Sequence, residues 1–325
     1  MLVNESVFDQ SIVKLGHVPF EQSKGWRTYQ EQRGMPYLFF VDNEAQPSIA
    51  CCGRIIKKPF IGKILDITGE VISKEDLTEK VLRKFYQSLI EDAGVDLIVY
   101  NCKVMYDVKK DIALRRSGFN RPLGSRICPL TIMVDLVNDT ENNRDRNWKR
   151  NAKKAVESNL KFEYIAKPTM EDAKTICHMF DEMSDTKHLG FTLEPKSLFE
   201  LIISPGYRLY YVYKDDKPLC ARIVYVYRDM AEDVFAANSD DSREYSATHF
   251  MMDSVFKDLK DLEATLFDFS RIPPSNNETD SVYIFKKATG GREVQYLGEW
   301  IWAKKLIVPL LFCIYNFYIH KSHHY

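Results

Sequence analysis

The hydrophobic pattern of the first half of the chain returns in the second. Leu38-Phe39-Phe40-Val41-Asp42-Asn43-Glu44-Ala45-Gln46-Pro47-Ser48-Ile49-Ala50 aligns without gaps on Leu209-Tyr210-Tyr211-Val212-Tyr213-Lys214-Asp215-Asp216-Lys217-Pro218-Leu219-Cys220-Ala221. Each copy is an apolar run, a polar turn ending in proline and a second apolar run, the signature of a β-hairpin. Recurrence at long separation implies two domains of one fold. Each half also predicts a capped amphipathic helix. Ser73 with Asp76 forms a capping box ahead of Leu77, Val81, Phe85 and Leu89, and Thr169 with Asp172 repeats it ahead of Ala173, Ile176, Cys177 and Phe180. Further strands are expected at 63–68, 96–100 and 130–135, then at 208–213, 218–228, 232–237 and 264–268. The mixture predicts an α+β (mixed α/β) architecture with largely antiparallel sheets.

The 325 residues suit two domains, placed at 1–145 and 146–305 with an apolar tail at 306–325. The intervening segment 139–159 reads as a linker followed by a helix carrying Arg144, Arg146, Lys149, Arg150, Lys153 and Lys154. A solvated charged helix and a contact for an anion or RNA backbone are both open for it. The formal net charge of −1 excludes a globally basic nucleic-acid coat. Seven cysteines, an odd number without a CxxC pair and mostly within apolar runs, read as reduced, buried thiols of a cytosolic protein. Met1 to Ser6 has neither a basic nor an apolar signal region, so a cytoplasmic location is expected.

The tail from Leu306 to Ile319 is nearly all apolar, bracketed by Lys304-Lys305 and by His320-Lys321, and interrupted by Pro309 and Asn316. It is shorter than the roughly 20 apolar residues that span a bilayer. It reads as an element packed on its domain, with peripheral membrane contact through residues 306–320 as the alternative.

Candidate chemistry concentrates between Leu266 and Trp300. A buried strand tipped by Asp268 leads to Lys286-Lys287, then Gly290-Gly291 as a hairpin turn, then Arg292. Cations and free backbone N–H groups in one region suit an anionic substrate or a developing oxyanion. If the segment is a strand, Lys287 points away from Lys286. Strict alternation places Arg222 on an apolar face beside Cys220 and Val224, so it needs an anion, either a structural carboxylate or a substrate phosphate. Tyr296 and Trp300 share a strand face and read as core or as a ligand platform. The histidines show no metal-ligand spacing and no nucleophile elbow is present, so neither a metal nor another resident cofactor is expected.

The repeat, the segment Lys153-Lys154-Ala155-Val156-Glu157-Ser158 and the run from Phe285-Lys286 to Trp300 together resemble the FemABX family of non-ribosomal peptidyltransferases. Pro19-Phe20-Glu21-Gln22-Ser23 with Trp26, and Leu65-Asp66-Ile67-Thr68-Gly69-Glu70-Val71, carry a fainter match. The resemblance covers roughly residues 15–305. It implies two tandem GNAT-like (acyl-CoA N-acyltransferase) domains and transfer of an aminoacyl group from aminoacyl-tRNA to an amine of a cell-wall precursor. It maps the family's lysine onto Lys286 as the electrostatic stabiliser; Asp268, from its place at the tip of a buried strand, is the candidate proton acceptor. Arg222, Lys287, Arg292, Tyr296 and Trp26 are the substrate-binding candidates.

Thr289 and Glu70 stand where the family pattern has an aromatic residue and a proline, which keeps a catalytically idle binding protein of the same fold open. The usual GNAT pyrophosphate loop, Arg/Gln-x-x-Gly-x-Gly/Ala, does not precede the helix expected at 245–260. An acyl-CoA-dependent transferase acting on an amino sugar or amino lipid therefore ranks behind the tRNA-dependent one.

Overall fold

The computed structural model describes residues 1–16, 18–73, 77–138, 143–187, 192–272 and 281–319. The chain divides into two compact units, Met1–Leu130 with Gln295–Tyr325, and Thr131–Val294.

In the first unit the sheet runs in the order Leu2–Val3, Tyr37–Val41, Ile49–Lys58, Gly62–Thr68, Leu97–Met105 and Arg292–Ala303. All neighbours are antiparallel except Gly62–Thr68 and Leu97–Met105, which are parallel. The second unit repeats this plan with Lys161–Ile165, Tyr207–Lys214, Lys217–Tyr227, Met230–Asn238, Leu266–Arg271 and Leu130–Asp135. Its single parallel pair, Met230–Asn238 with Leu266–Arg271, occupies the equivalent place. A helix bridges each parallel pair, Glu79–Asp92 in one unit and Ala247–Asp261 in the other, because parallel neighbours need a long crossover.

The sixth strand of each order comes from the opposite half of the sequence. After the helix Val108–Arg116 the chain enters Leu130–Asp135, which pairs with Leu266–Arg271 through Val134 opposite Phe267 and Met133 opposite Asp268. After the helix Ser281–Ala288 it enters Arg292–Ala303, which pairs with Leu97–Met105 through Ile301 opposite Val99. The expected division at 145, with 292–305 kept in the second domain, is therefore corrected. The boundary falls at Leu130, and the chain returns to the first unit at Gln295.

Both expected hairpins form, but their turns differ. Lys214 and Lys217 pair across Asp215 and Asp216, which have φ of 48° and 65°, as a tight two-residue turn between twisted strands requires. In the first copy the loop after Val41 is longer. Asp42 Oδ1 accepts from the N–H groups of Ser48 and Ile49, and Asn43 Oδ1 from those of Ala45 and Gln46.

The box of Thr169 and Asp172 is observed, with Thr169 N donating to Asp172 Oδ2 at 2.7 Å and Asp172 N to Thr169 Oγ1 at 3.3 Å. Ala173, Ile176, Cys177 and Phe180 are buried, as their spacing predicts. Asp76 of the other expected box lies outside the described residues. That helix begins one turn later, capped by Thr78, and buries Leu82, Phe85, Tyr86 and Leu89 while Val81 is exposed. All seven cysteines are free, and six of them are buried. The tail forms a helix, Val308–Cys313, continued by a wider turn to Ile319. Its Val308 and Phe312 pack with Ile61, Ile64, Leu97, Val99 and Ile301. No helix among the described residues is long and apolar enough to cross a membrane.

The exchanged strand Leu130–Asp135 buries Ile132, Met133 and Val134, with Val134 opposite Phe267. At roughly 1.5–3 kcal/mol for each buried side chain, these three are worth about 5–9 kcal/mol, a large share of a domain's stability. A fragment spanning 131–294 is therefore expected to unfold cooperatively in urea, as followed by circular dichroism. A fragment spanning 146–305 is expected to show no cooperative transition.

Candidate active site

The strand Leu266–Arg271 carries the first part of the site. Phe267, Asp268 and Phe269 are buried, and after Asp268 the pairing with Leu130–Asp135 slips, so that Arg271 meets Thr131. Ser270, with φ of 57°, absorbs this bulge. Asp268 holds it in place. Its Oδ1 accepts from Thr131 Oγ1 at 2.5 Å and from Ser270 N at 2.8 Å, while Ser270 Oγ donates to Asp233 O at 2.8 Å. The bulge leaves the carbonyl of Phe269 to accept from Lys286 Nζ at 2.8 Å. The same ammonium lies 5.6 Å from the Phe269 ring centroid.

Lys286 sits on a helix, Ser281–Ala288, and not on a strand. Phe285 anchors that helix against Trp148 at 5.1 Å and His249 at 5.3 Å between ring centroids. Lys286 and Lys287 are therefore about 100° apart around a helix rather than on opposite sheet faces. Lys287 forms an ion pair with Glu293 and donates to Gly291 O at 3.3 Å. Hydrogen bonding to Lys287 holds the Glu293 carboxyl below the usual carboxylate range.

Gly290-Gly291 is likewise not a hairpin turn. Gly290, at φ of 89°, ends the helix with its N–H donating to Lys287 O at 3.1 Å. Gly291 passes so close to the exchanged strand that a Cβ would lie 2.5 Å from Ile132 Cγ2 and 2.9 Å from Met133 O. Thr289, where the family pattern has an aromatic residue, is buried and donates from Oγ1 to Lys286 O at 2.7 Å.

Arg222 is met by a carboxylate of its own sheet. Its Nη1 lies 2.8 Å from Asp233 Oδ2, and both side chains are nearly buried. Arg292 is exposed at the start of its strand. The remaining candidates belong to the first unit. Tyr296 is buried, and Trp300 is buried beneath the guanidinium of Arg121, 3.8 Å from the ring centroid. Trp26 is half-buried, stacked on Tyr29 at 5.3 Å with Phe20 edge-on at 5.0 Å. In the accompanying motif Gln22 bridges the backbone, donating to Glu70 O at 2.7 Å and accepting from Cys52 N at 3.0 Å. Glu70, where the family has a proline, pairs with Lys110.

The structure thus joins Lys286, Asp268 and Arg222 to one unit's sheet and its flanking helix, and leaves Tyr296 and Trp26 in the other unit. Two contributors escaped the sequence. Thr131 reaches Asp268 only through the exchanged strand, and His249 packs 4.6 Å from Trp148. Burial pushes the His249 imidazole down to about 4. Its placement on the same helix as buried Met252 and Phe256, three and seven residues on, is the signal that could have found it.

Between the strand Met230–Asn238 and the helix Ala247–Asp261, the connection carries Asp240, Asp241 and Glu244 and no glycine. Lys217 Nζ donates to Asp241 Oδ2 at 2.6 Å. This is unfavourable ground for a pyrophosphate, which helix N-termini otherwise attract. The basic helix at the head of this unit, Arg146–Glu157, buries Trp148 and Ala155 and exposes Arg146, Lys149, Arg150, Lys153 and Lys154. Arg144, just before it, pairs with Asp253 at 2.9 Å.

Residues 142–283 match the family model described as an acetyltransferase (GNAT) domain. Together with the duplicated sheet plan, this defines a tandem GNAT fold, as expected. The chain is built like FemX, which it resembles at 12% identity over 97% of this chain and 99% of that one, with a TM-score of 0.75. It is also similar to L-PGS from Bacillus licheniformis, at 12% identity over 98% of this chain and 97% of that one, TM-score 0.63. A tandem GNAT protein from the clavulanic acid biosynthesis pathway is similar at 9% identity over 93% and 97%, TM-score 0.53. A search of curated proteins returned no match to this chain.

Two outcomes are expected. Asp233→Ala strands a buried guanidinium and should cost about 3–5 kcal/mol in urea unfolding, whereas the double change Arg222→Met with Asp233→Leu should recover most of it. His249 has a folded pKa below its unfolded value, so its contribution is complete above about pH 6.5 and is lost as pH falls through about 4. Stability measured across that window should drop by about 1–3 kcal/mol on this account, and His249→Phe should flatten the slope.

Proposed function

We propose that this protein is an N-acyltransferase that moves an aminoacyl group from aminoacyl-tRNA to a primary amine of a cell-wall precursor. The observation that carries the reading is the Lys286 ammonium, held at the Phe269 carbonyl by a bulged strand, within a tandem GNAT fold. The likeness to FemX supports the tRNA donor, as does the exposed basic face of Arg146–Glu157, which suits a phosphate backbone. The acidic connection before Ala247–Asp261 argues against coenzyme A.

The amine nitrogen attacks the ester carbonyl carbon, the carbonyl oxygen becomes an oxyanion, and collapse expels the ribose oxygen. The proton lost by the amine leaves with that oxygen. Lys286 stabilises the oxyanion, and because the ammonium is already anchored, little reorganisation accompanies the charge. Asp268 fits a positioning role rather than that of proton acceptor, since the carboxylate fixes the bulge through Thr131 and Ser270. Arg222, neutralised by Asp233, is structural, and Lys287 belongs to the surface ion pair with Glu293. Arg292 is left as the exposed cation for an anionic substrate group, and Trp26 and Tyr296 act as packing residues.

A second reading, transfer from an acyl-CoA to an amino sugar or amino lipid, is favoured by the GNAT family match over 142–283. It keeps the same chemistry at Lys286 and changes the donor.

The test is transfer of a labelled aminoacyl group from charged tRNA to a cell-wall precursor amine. Lys286→Ala should lower kcat by about 10²–10³ with little change in the acceptor KM. Unchanged turnover in that variant would remove Lys286 from the mechanism.

A further inference from the structure

The outward face of the C-terminal helix is apolar throughout. Leu306, Ile307, Leu310, Ile314, Tyr318 and Ile319 are exposed, while Val308, Phe312 and Asn316 turn inward. Apart from the phenol hydroxyls of Tyr315 and Tyr318, the polar side chain between Leu306 and Ile319 is Asn316, and it is buried, donating to Phe312 O at 2.7 Å. A solvent-facing helix has the reverse pattern.

A second apolar element lies beside the first. The turn between Ile49–Lys58 and Gly62–Thr68 lifts Phe60 to 93% exposure, at φ of 63°, while its neighbour Ile61 packs into the cluster that holds Val308 and Phe312. Lys58 Nζ lies 5.1 Å from the ring centroid of Tyr315, which fixes the turn against the helix.

Lysines lie at its edge. Lys58 shares the sheet face of Ile56 and Ile64, against which the helix packs, whereas Lys57 and its partner Lys63 project from the opposite face beside the Phe60 turn, and Lys304 and Lys305 precede the helix. Asp96 gathers two of these segments at one end of the sheet, its Oδ2 accepting from Lys63 N at 2.9 Å and its carbonyl from Lys304 N at 3.0 Å. None of the five lysines forms an ion pair among the described residues, and the nearby Asp66 carboxylate is taken by Arg54.

We infer that this face of the first unit docks on the surface of an anionic lipid bilayer. Phe60 and the outward residues of the helix enter the boundary between headgroups and acyl chains, and the lysines meet the lipid phosphates. The pairing of an apolar centre with a basic rim is what an interfacial helix requires, and a stretch of this length lies in the interface without spanning it. A folded neutral partner would leave the rim of lysines unmatched; an anionic membrane satisfies centre and rim together. The inference rests on the first unit alone and is independent of the acyl donor.

Co-sedimentation of the full chain with phosphatidylcholine vesicles, with and without phosphatidylglycerol, tests it. Binding is expected only with the anionic lipid and should weaken as salt rises. Phe60→Asp and Leu310→Asp should each reduce it by about tenfold or more. Lys304→Glu with Lys305→Glu should reduce it by about 30-fold or more. Phe60 is in an exposed turn, so Phe60→Asp decides the matter if Leu310→Asp proves unstable. Absence of binding to anionic vesicles, or binding that Phe60→Asp leaves intact, overturns the proposal. So does a dimer in sedimentation velocity that Phe60→Asp dissolves while vesicles are not bound, because the face would then belong to a second copy.

Discussion

Each half of this chain completes its sheet with a strand from the other half, and the details of the candidate site follow from that exchange. Thr131 stands opposite Arg271 because Leu130–Asp135 has been brought there, and its hydroxyl is one of the groups that hold Asp268. The bulge that Asp268 stabilises turns the Phe269 carbonyl to Lys286. Beyond Lys286 the chain must cross the exchanged strand, and Gly291 is the residue small enough for that approach. One topological feature therefore accounts for a threonine, an aspartate, a backbone carbonyl and a glycine whose separation in sequence suggests no connection.

Much of the fold was legible in local pattern. The hairpins, the strands at 63–68 and 208–213 and the capping box at Thr169 are encoded by neighbours a few residues apart, and they form as expected. The exchange was not legible, because pairing between Leu97–Met105 and Arg292–Ala303 depends on residues nearly two hundred positions apart and leaves no local signature. For Val282-Tyr283-Ile284-Phe285 the local pattern leaves helix and strand both open. A short apolar run rich in β-branched and aromatic residues has no decisive period, and packing of Phe285 on Trp148 and His249 makes it a helix. For Arg222 the need for an acid was evident from alternation, but Asp233 as the partner was not, because the pairing of the two strands shifts between them.

Electrostatics separates the two donors better than the fold does. The positions that depart from the FemABX pattern are absorbed structurally, Glu70 by Lys110 and Thr289 by the carbonyl of Lys286. The connection Asp240–Arg243 and Glu244 is different, since it sets carboxylates at the approach to a helix N-terminus where a pyrophosphate would need N–H donors. The exposed cations of Arg146–Glu157 have the opposite sign and lie on the same unit as Lys286. On the proposed reading, a donor that presents a long phosphate backbone suits this distribution better than one that presents a compact pyrophosphate.

The most direct measurement is equilibrium binding of the two donors to the same preparation, charged tRNA and acetyl-coenzyme A, across a salt series. The account predicts that charged tRNA binds, with affinity falling steeply as salt rises, and that reversing the charges of Lys149, Arg150 and Lys153 reduces that slope. It predicts no saturable binding of acetyl-coenzyme A. Saturable binding of acetyl-coenzyme A with no affinity for charged tRNA would contradict it.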